Sequence, residues 1–399
     1  VNDRIFLTGS LRLDGSTSFG DSYKPRPYPK VGLSWIVSDE PFMRSLPFVT
    51  ELRARASFGA ASRYPTSPMK LGQITPYQQT IDGSTHNLFF RSFLGNPFLS
   101  PERTHETEYG VDATLFDRKL DAELTGWSRR TNAQIALQYS PQGLPPSWGN
   151  IGDVSGHGFE VRLHSKLLQV HSAQLDLTVS ATYQTSKLLS LGNTPSLCNA
   201  YDCYRVGYPL GSLFSQSLTV LDTVGGHADG IVLYPEIVRG PSQYVGPASP
   251  PYDYTFAPTA SFLNGRVTVS TIVDRATGFY FPDGRLYGSG FSDAYMRAGS
   301  SLINQARYEL QCCSFEPGDF TRWRELSVTT DLPSRFMHAV LLSRGTISVQ
   351  FRNLAEWTRS KLGDPESVPG MGITGHGSAS EIPSVAQPRS FSLNFNLVP

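Results

Sequence analysis

Ten consecutive residues alternate without error: Leu175, Leu177, Val179, Ala181 and Tyr183 are apolar, while Asp176, Thr178, Ser180, Thr182 and Gln184 are polar. Successive side chains of a β-strand point to opposite faces, so this segment offers a greasy face to one medium and a wet face to another. The pattern recurs along the whole chain. Leu52, Ala54, Ala56 and Phe58 alternate with Arg53, Arg55 and Ser57, and Phe159, Val161 and Leu163 with Glu160, Arg162 and His164. Ile347, Val349 and Phe351 alternate with Ser348, Gln350 and Arg352, and Phe391 to Leu397 closes the chain in the same way. Roughly 12 to 14 strands are read on this basis, often near the ten-residue length of a tilted membrane-spanning strand.

The connections differ in length. Asp117-Arg118-Lys119, Gln169 to Ala173 and Leu263-Asn264-Gly265 are tight, whereas Ser62 to Pro101, Ser140 to Gly156, Leu188 to Tyr208 and Asp222 to Tyr254 are long and rich in Pro, Gly, Ser and Tyr. Outer-membrane barrels pair short periplasmic turns with long external loops. Compact soluble domains seldom carry so many long irregular connections. Alternation alone still admits two folds: a barrel with its apolar face in lipid and its charged face on a hydrated lumen, or a two-layer sandwich with its polar faces outward.

Composition removes other classes. In 399 residues, 39% of them hydrophobic, no run approaches the roughly 18 apolar residues of a transmembrane helix. A strand barrel escapes that test because polar residues dilute its apolar ones. The 34 basic and 34 acidic residues cancel, leaving no cationic excess for a nucleic-acid partner. Cys198 and Cys203 lie in a polar stretch and are candidates for a small loop disulfide in an oxidising compartment; adjacent Cys312 and Cys313 rarely bridge each other. Neither pair has zinc spacing, and no metal or other cofactor is expected. Catalytic signatures are missing too. His105-Glu106 has no second His four residues on, Gly288-Ser289-Gly290 lacks a strand-to-helix setting, and Asp14 to Ser18 lacks a later bidentate Glu for calcium. An enzyme is not expected.

Several segments then appear in a fixed order. They are Leu11-Arg12-Leu13-Asp14-Gly15-Ser16-Thr17-Ser18-Phe19-Gly20, Tyr28-Pro29-Lys30-Val31-Gly32-Leu33-Ser34-Trp35 and Leu52-Arg53-Ala54-Arg55-Ala56-Ser57-Phe58-Gly59. Asn96-Pro97-Phe98-Leu99-Ser100-Pro101-Glu102-Arg103-Thr104, Asn150-Ile151-Gly152 with Gly158-Phe159-Glu160, and Arg205-Val206-Gly207-Tyr208-Pro209-Leu210-Gly211 follow. Gly318-Asp319-Phe320-Thr321-Arg322-Trp323-Arg324-Glu325-Leu326-Ser327, Arg352-Asn353-Leu354-Ala355-Glu356-Trp357-Thr358 and Gly363-Asp364-Pro365-Glu366 complete the series. The ordered set closely resembles the barrel of SusC/RagA-family TonB-linked outer-membrane transporters. The ending departs from it: the family usually closes on an aromatic residue, and this chain on Leu397-Val398-Pro399.

The resemblance implies an all-β fold, a partial antiparallel transmembrane β-barrel with long extracellular loops, cut from a family barrel of about 22 strands with a plugged lumen. Residues 1–399 are expected to be its C-terminal part, with signal peptide, plug domain and first strands outside them. It further implies TonB-dependent import of oligosaccharides or peptides across the outer membrane of a Gram-negative bacterium. The implied partners are TonB, acting through the N-terminal region, a SusD-like surface lipoprotein, the substrate and outer-membrane lipid. A plugless porin or adhesin-like barrel, and a soluble glycan-binding sandwich, are the alternatives.

Substrate contacts in such a family sit in variable loops and are not assigned to residues. Arg53, Arg55, Glu160, Arg162, His164, Asp176 and Arg352 are assigned to the lumen side, where the arginines either meet substrate or form a solvated network with Glu160 and Asp176. Asp364-Pro365-Glu366 is read as turn chemistry ahead of ligand binding. A partial barrel has free edges, so the segment around Ile5 to Leu11 is not expected to pair with Phe391 to Leu397.

Overall fold

The computed structural model describes residues 3–15, 25–65, 67–138, 144–192, 197–198, 202–221, 237–282, 306–307, 313–339, 341–360, 364–366 and 387–398. The chain opens with β1 (Ile5–Asp14), β2 (Arg26–Ile36) and β3 (Val49–Arg63), then helix α1 (Ser67–Leu71) and the hairpin β4 (Gly72–Ile81) and β5 (Ser84–Leu94). Next come β6 (Glu102–Leu115), β7 (Leu120–Gln138), β8 (Ser147–Val170) and β9 (Ala173–Ser190). Short strands β10 (Leu197–Cys198) and β11 (Asp202–Tyr204) lead to β12 (Ser212–Val220) and β13 (Ile237–Pro247). The remainder is β14 (Tyr252–Phe262), β15 (Val267–Thr277), β16 (Tyr280–Pro282), β17 (Phe315–Pro317), β18 (Phe320–Asp331), α2 (Ser334–Ala339), β19 (Arg344–Thr358) and β20 (Ser390–Val398).

Twelve strands run side by side in the order β1-β2-β3-β6-β7-β8-β9-β14-β15-β18-β19-β20, each antiparallel to its neighbours. Strands β10 to β13 form a separate four-stranded sheet, and β16 pairs with β17. Antiparallel order sends alternate connections to opposite rims. One rim receives 37–48, 116–119, 171–172, 263–266 and 332–343; the other receives 15–25, 64–101, 139–146, 191–251, 278–319 and 359–389. The four longest connections, 64–101, 191–251, 278–319 and 359–389, all fall on the second rim, as the barrel reading requires. Two of the short turns close through three successive left-handed residues, Phe116-Asp117-Arg118 and Leu263-Asn264-Gly265.

The register sorts side chains by face. Leu52, Ala113, Ala122, Leu163, Val179, Phe256, Val273 and Trp323 are successive cross-strand neighbours and form one apolar row. Nearer the long-loop rim, Tyr109, Gly126, Phe159, Tyr183 and Tyr252 form another. Its rings touch, with centroids 5.4 Å apart for Phe159–Tyr183 and 5.0 Å for Tyr183–Tyr252. These side chains are not covered by protein: Phe159 is 46% exposed and Leu124, beside the row, 51%. A sandwich would bury that face. Buried clusters occur instead at the long-loop rim: Ala136, Ile151, Val154, Leu188, Leu191 and Tyr204 make one, and Leu99, Ile135, Leu137 and Trp148 another. An apolar band bare along its length, with small cores only where strands outrun it, is the pattern of a sheet solvated by lipid. Strands β1 and β20 end the path and do not pair, so the sheet is an open arc, as expected.

The long connections carry more strand than the alternation predicts. Residues 62–101 hold β4 and β5, 222–254 hold β13, and 140–156 contain the start of β8. Pro76 interrupts β4, Gly240 and Pro241 interrupt β13, and Gly149, Gly152 and Gly156 interrupt β8. Beyond the lipid band neither face of a strand must be apolar, so period two is no longer enforced there.

Candidate functional site: the polar face and the long-loop rim

Opposite the lipid-type face runs a row of charge. Arg53, Asp112, Glu123, Arg162, Ser180, Thr255, Asp274, Arg322 and Glu356 are successive cross-strand neighbours. Arg55, Glu160, His164, Asp176 and Arg352 belong to the same face by the two-residue period. All seven residues assigned to the wet side therefore share one face of the sheet.

Their partners differ from the expected ones. Arg53 holds Asp112 through Nη2 at 2.6 Å and Nε at 3.0 Å, and Arg55 reaches the other oxygen at 3.2 Å while also donating to Thr125. Arg352 lies 3.5 Å from Glu325. Asp176 accepts from Gln174 at 2.7 Å, and His164 shares a hydrogen bond with Thr178 at 3.1 Å. Arg53, Arg55 and Arg352 thus close on Asp112 and Glu325 rather than on Glu160 and Asp176. Register explains this: Asp112 is the direct neighbour of Arg53, whereas Glu160 is separated from Arg55 by two strands.

A denser cluster lies toward the long-loop rim. Arg322 is 2% exposed and holds three carboxylates: Glu356 at 2.8 Å, Asp364 and Glu366. Arg324 holds Asp274 and, at 3.0 Å, Glu366. Arg322 and Arg324 share a face by the two-residue period, and the ladder slips at Arg324, between Glu325 and Trp323. Asp364 also receives the backbone N–H groups of Glu366 at 3.0 Å and Gln387 at 3.3 Å. Asp364 and Glu366 thus tie their segment to the strand wall.

The rim around β12 and β13 is aromatic. Tyr208, Phe214 and Tyr244 form a triangle with centroids 5.1 to 5.6 Å apart, and Arg205 lies 4.2 Å above Phe214. Burial pushes the Tyr244 hydroxyl above the usual phenol range, and Tyr208 beside it acts the same way. Backbone register places Cys198 opposite Cys203; their side chains lie outside the described residues. Cys313 is disulfide-bonded. A cavity of about 280 Å³ opens between the polar face near Trp127 and Arg129 and the segments 209–210 and 247–251.

Residues 1–354 match the family described as "TonB dependent receptor-like, beta-barrel". The chain belongs to that family. TonB-dependent receptor P39 of Formosa agariphila is 28% identical over 241 residues, which are 58% of this chain and 23% of that protein. TonB-dependent receptor SusC of Bacteroides thetaiotaomicron is 21% identical over 198 residues, 47% of this chain and 20% of SusC. Among solved structures, the RagAB peptide transporter superposes with a TM-score of 0.75 at 17% identity, covering 99% of this chain and 46% of that one. The siderophore receptor PirA from Acinetobacter baumannii shares the fold at a TM-score of 0.51 and 12% identity. The chain spans less than half the length of the curated relatives and solved structures it matches. Receptors and transporters, not enzymes, make up the family.

In this TonB-dependent receptor barrel the Asn-Pro and Asn-x-Gly motifs are one clasp. Asn96 donates to the Trp148 carbonyl at 2.8 Å and accepts from the Phe98 N–H at 3.0 Å. Asn150 accepts from Ser100 N–H and donates to the carbonyls of Ser100 and Ala133, each at 2.8 Å. Glu102, itself buried, accepts the Ile135 N–H at 2.8 Å and the Gln134 amide at 3.0 Å. Those bonds cross a bulge at Ala133, whose φ is 58°. Glu102→Ala is expected to destabilise the folded barrel by about 1–3 kcal/mol, because it orphans the buried Ile135 N–H. Denaturant titration of the refolded protein in detergent micelles measures the loss; an unchanged midpoint would show that water replaces the carboxylate freely.

Proposed function

We propose that the protein containing this chain is a TonB-dependent importer of oligosaccharides or peptides in the outer membrane of a Gram-negative bacterium. Residues 1–399 supply part of the barrel wall and the loops that meet substrate. The observation carrying this reading is the division of one long antiparallel sheet into a bare apolar face, a charged face and a single long-loop rim, in a chain of the TonB-dependent receptor family. The apolar face meets lipid, the charged face lines the lumen, and the long-loop rim is extracellular. SusC and the RagAB peptide transporter among its relatives support oligomeric nutrients and a SusD-like surface lipoprotein over the rim. In the complete barrel, strands outside residues 1–399 cover the free edges of β1 and β20, and a plug domain occupies the lumen and couples it to TonB.

The test is uptake of fluorescent oligosaccharide and peptide pools by cells that express the full-length receptor. Uptake of one pool is expected to depend on the receptor and to vanish in cells lacking TonB. Receptor-dependent entry that persists without TonB would establish the plugless porin reading instead.

A further inference from the structure

Trp127 and Arg129 lie two residues apart on β7, on the polar face near the long-loop rim. Both side chains run sideways over β8, and glycine makes this possible. A Cβ on Gly158 would stand 2.7 Å from the Trp127 ring, and one on Gly156 would stand 3.1 Å from Arg129 Nε. The Arg129 guanidinium lies over the indole at 4.8 Å from the ring centroid. That stacking holds the cation in place without neutralising it. Among the described residues Arg129 makes no ion pair, unlike Arg53, Arg55, Arg322, Arg324 and Arg352 on the same face. Glu106 and Glu108 stand on the β6 side of the pair; the cavity opens on the other side, over β9.

The cavity walls suit the remainder of a ligand. Gln184 and Ser186 lie on β9, and Pro209, Leu210, Pro250 and Pro251 form the loop side. The walls are tied together: Leu210 N–H donates to Ser186 Oγ at 3.1 Å, and Gln184 N–H to the Pro251 carbonyl at 2.9 Å. At about 280 Å³ the space is at the small end of ligand pockets, room for one terminal unit rather than a whole oligomer. A guanidinium whose flat face is occupied still presents its N–H edge, the geometry that grips a carboxylate.

We infer that this cavity is a subsite for the carboxylate of an acidic oligomer, with Arg129 gripping the anion and the proline-lined wall packing on the adjoining carbon skeleton. The inference rests on the importer reading and names the ligand chemistry that one part of its lumen selects. A uronic-acid sugar and the C-terminus of a peptide both carry the required group.

The test uses the full-length receptor in detergent micelles and calorimetric titration with four probes: a trigalacturonate, its methyl ester, a tripeptide and its C-terminal amide. Tight binding of one free acid, weakened about tenfold or more by masking its carboxylate and equally by Arg129→Gln, is the expected result and identifies the source of the carboxylate. Arg129→Lys, which keeps the charge but loses the fork, should fall between. Equal binding of free and masked ligands, unchanged binding by Arg129→Gln, or binding of no probe would overturn the inference. The same variant in the uptake assay separates the two proposals: TonB-dependent uptake that Arg129→Gln leaves untouched overturns only this subsite, while uptake independent of TonB removes the importer reading itself.

Discussion

Arg322→Ala is expected to cost the folded barrel about 3–5 kcal/mol, the largest single-residue loss in the described structure. The size follows from burial and charge count. Arg322 is 2% exposed and the side chain of Asp364 fully buried, so removing the cation leaves Asp364 and Glu356 facing one another without it. Arg324 cannot take over, because it already holds Asp274 and Glu366. The loop through Asp364 to Glu366 should then leave the wall. Limited proteolysis in micelles would report its release, and the midpoint of heat-modifiable gel mobility the loss of barrel stability. Arg53→Ala is the control: that pair with Asp112 is open to water and should be worth less than about 1 kcal/mol. If both variants behave alike, the Arg322 cluster is an ordinary solvated network.

Val179→Arg should destabilise the barrel by about 2–4 kcal/mol, the penalty for a cation at the lipid midplane of a strand barrel. Val179 sits in the apolar row between Leu163 and Phe256. Its chain neighbour Thr178 points to the polar face beside His164, so Thr178→Arg should change little. The contrast between adjacent residues is a property of a sheet with lipid on one side and water on the other. Folding yield into lipid vesicles, read by heat-modifiable mobility, measures both. Equal penalties would mean that the two faces see the same medium.

How far the fold is legible depends on which residues the solvent constrains. Leu175 to Gln184 declares its two faces because β9 passes through the lipid band, and each misplaced residue there is costly. Ser147 to Gly156 and Ile237 to Pro247 read as loop, yet they are strands of β8 and β13. They stand beyond the band, where glycine and proline are tolerated and hydrogen bonding to a neighbour is sufficient to make a strand. The motif residues Asn96, Glu102, Asn150, Asp364 and Glu366 were visible as letters. Their work as a clasp and a loop tether was not, since each bond joins segments whose adjacency is set elsewhere.

Alternation by itself determined that the chain is a strand protein with one greasy and one wet side, and the ordered motifs determined its family. Both are properties of residues close in sequence, because a pleat repeats every two residues. The tertiary structure decided which charges meet. Arg53 pairs with Asp112 and Arg322 with Asp364, partners brought together by strand register and a returning loop. It also decided that Arg129, though it resembles the other arginines in sequence, rests on Trp127 and makes no ion pair among the described residues. A side chain's face is a local matter, but its partner depends on how strands slide past one another, and that is settled only when the whole sheet is assembled.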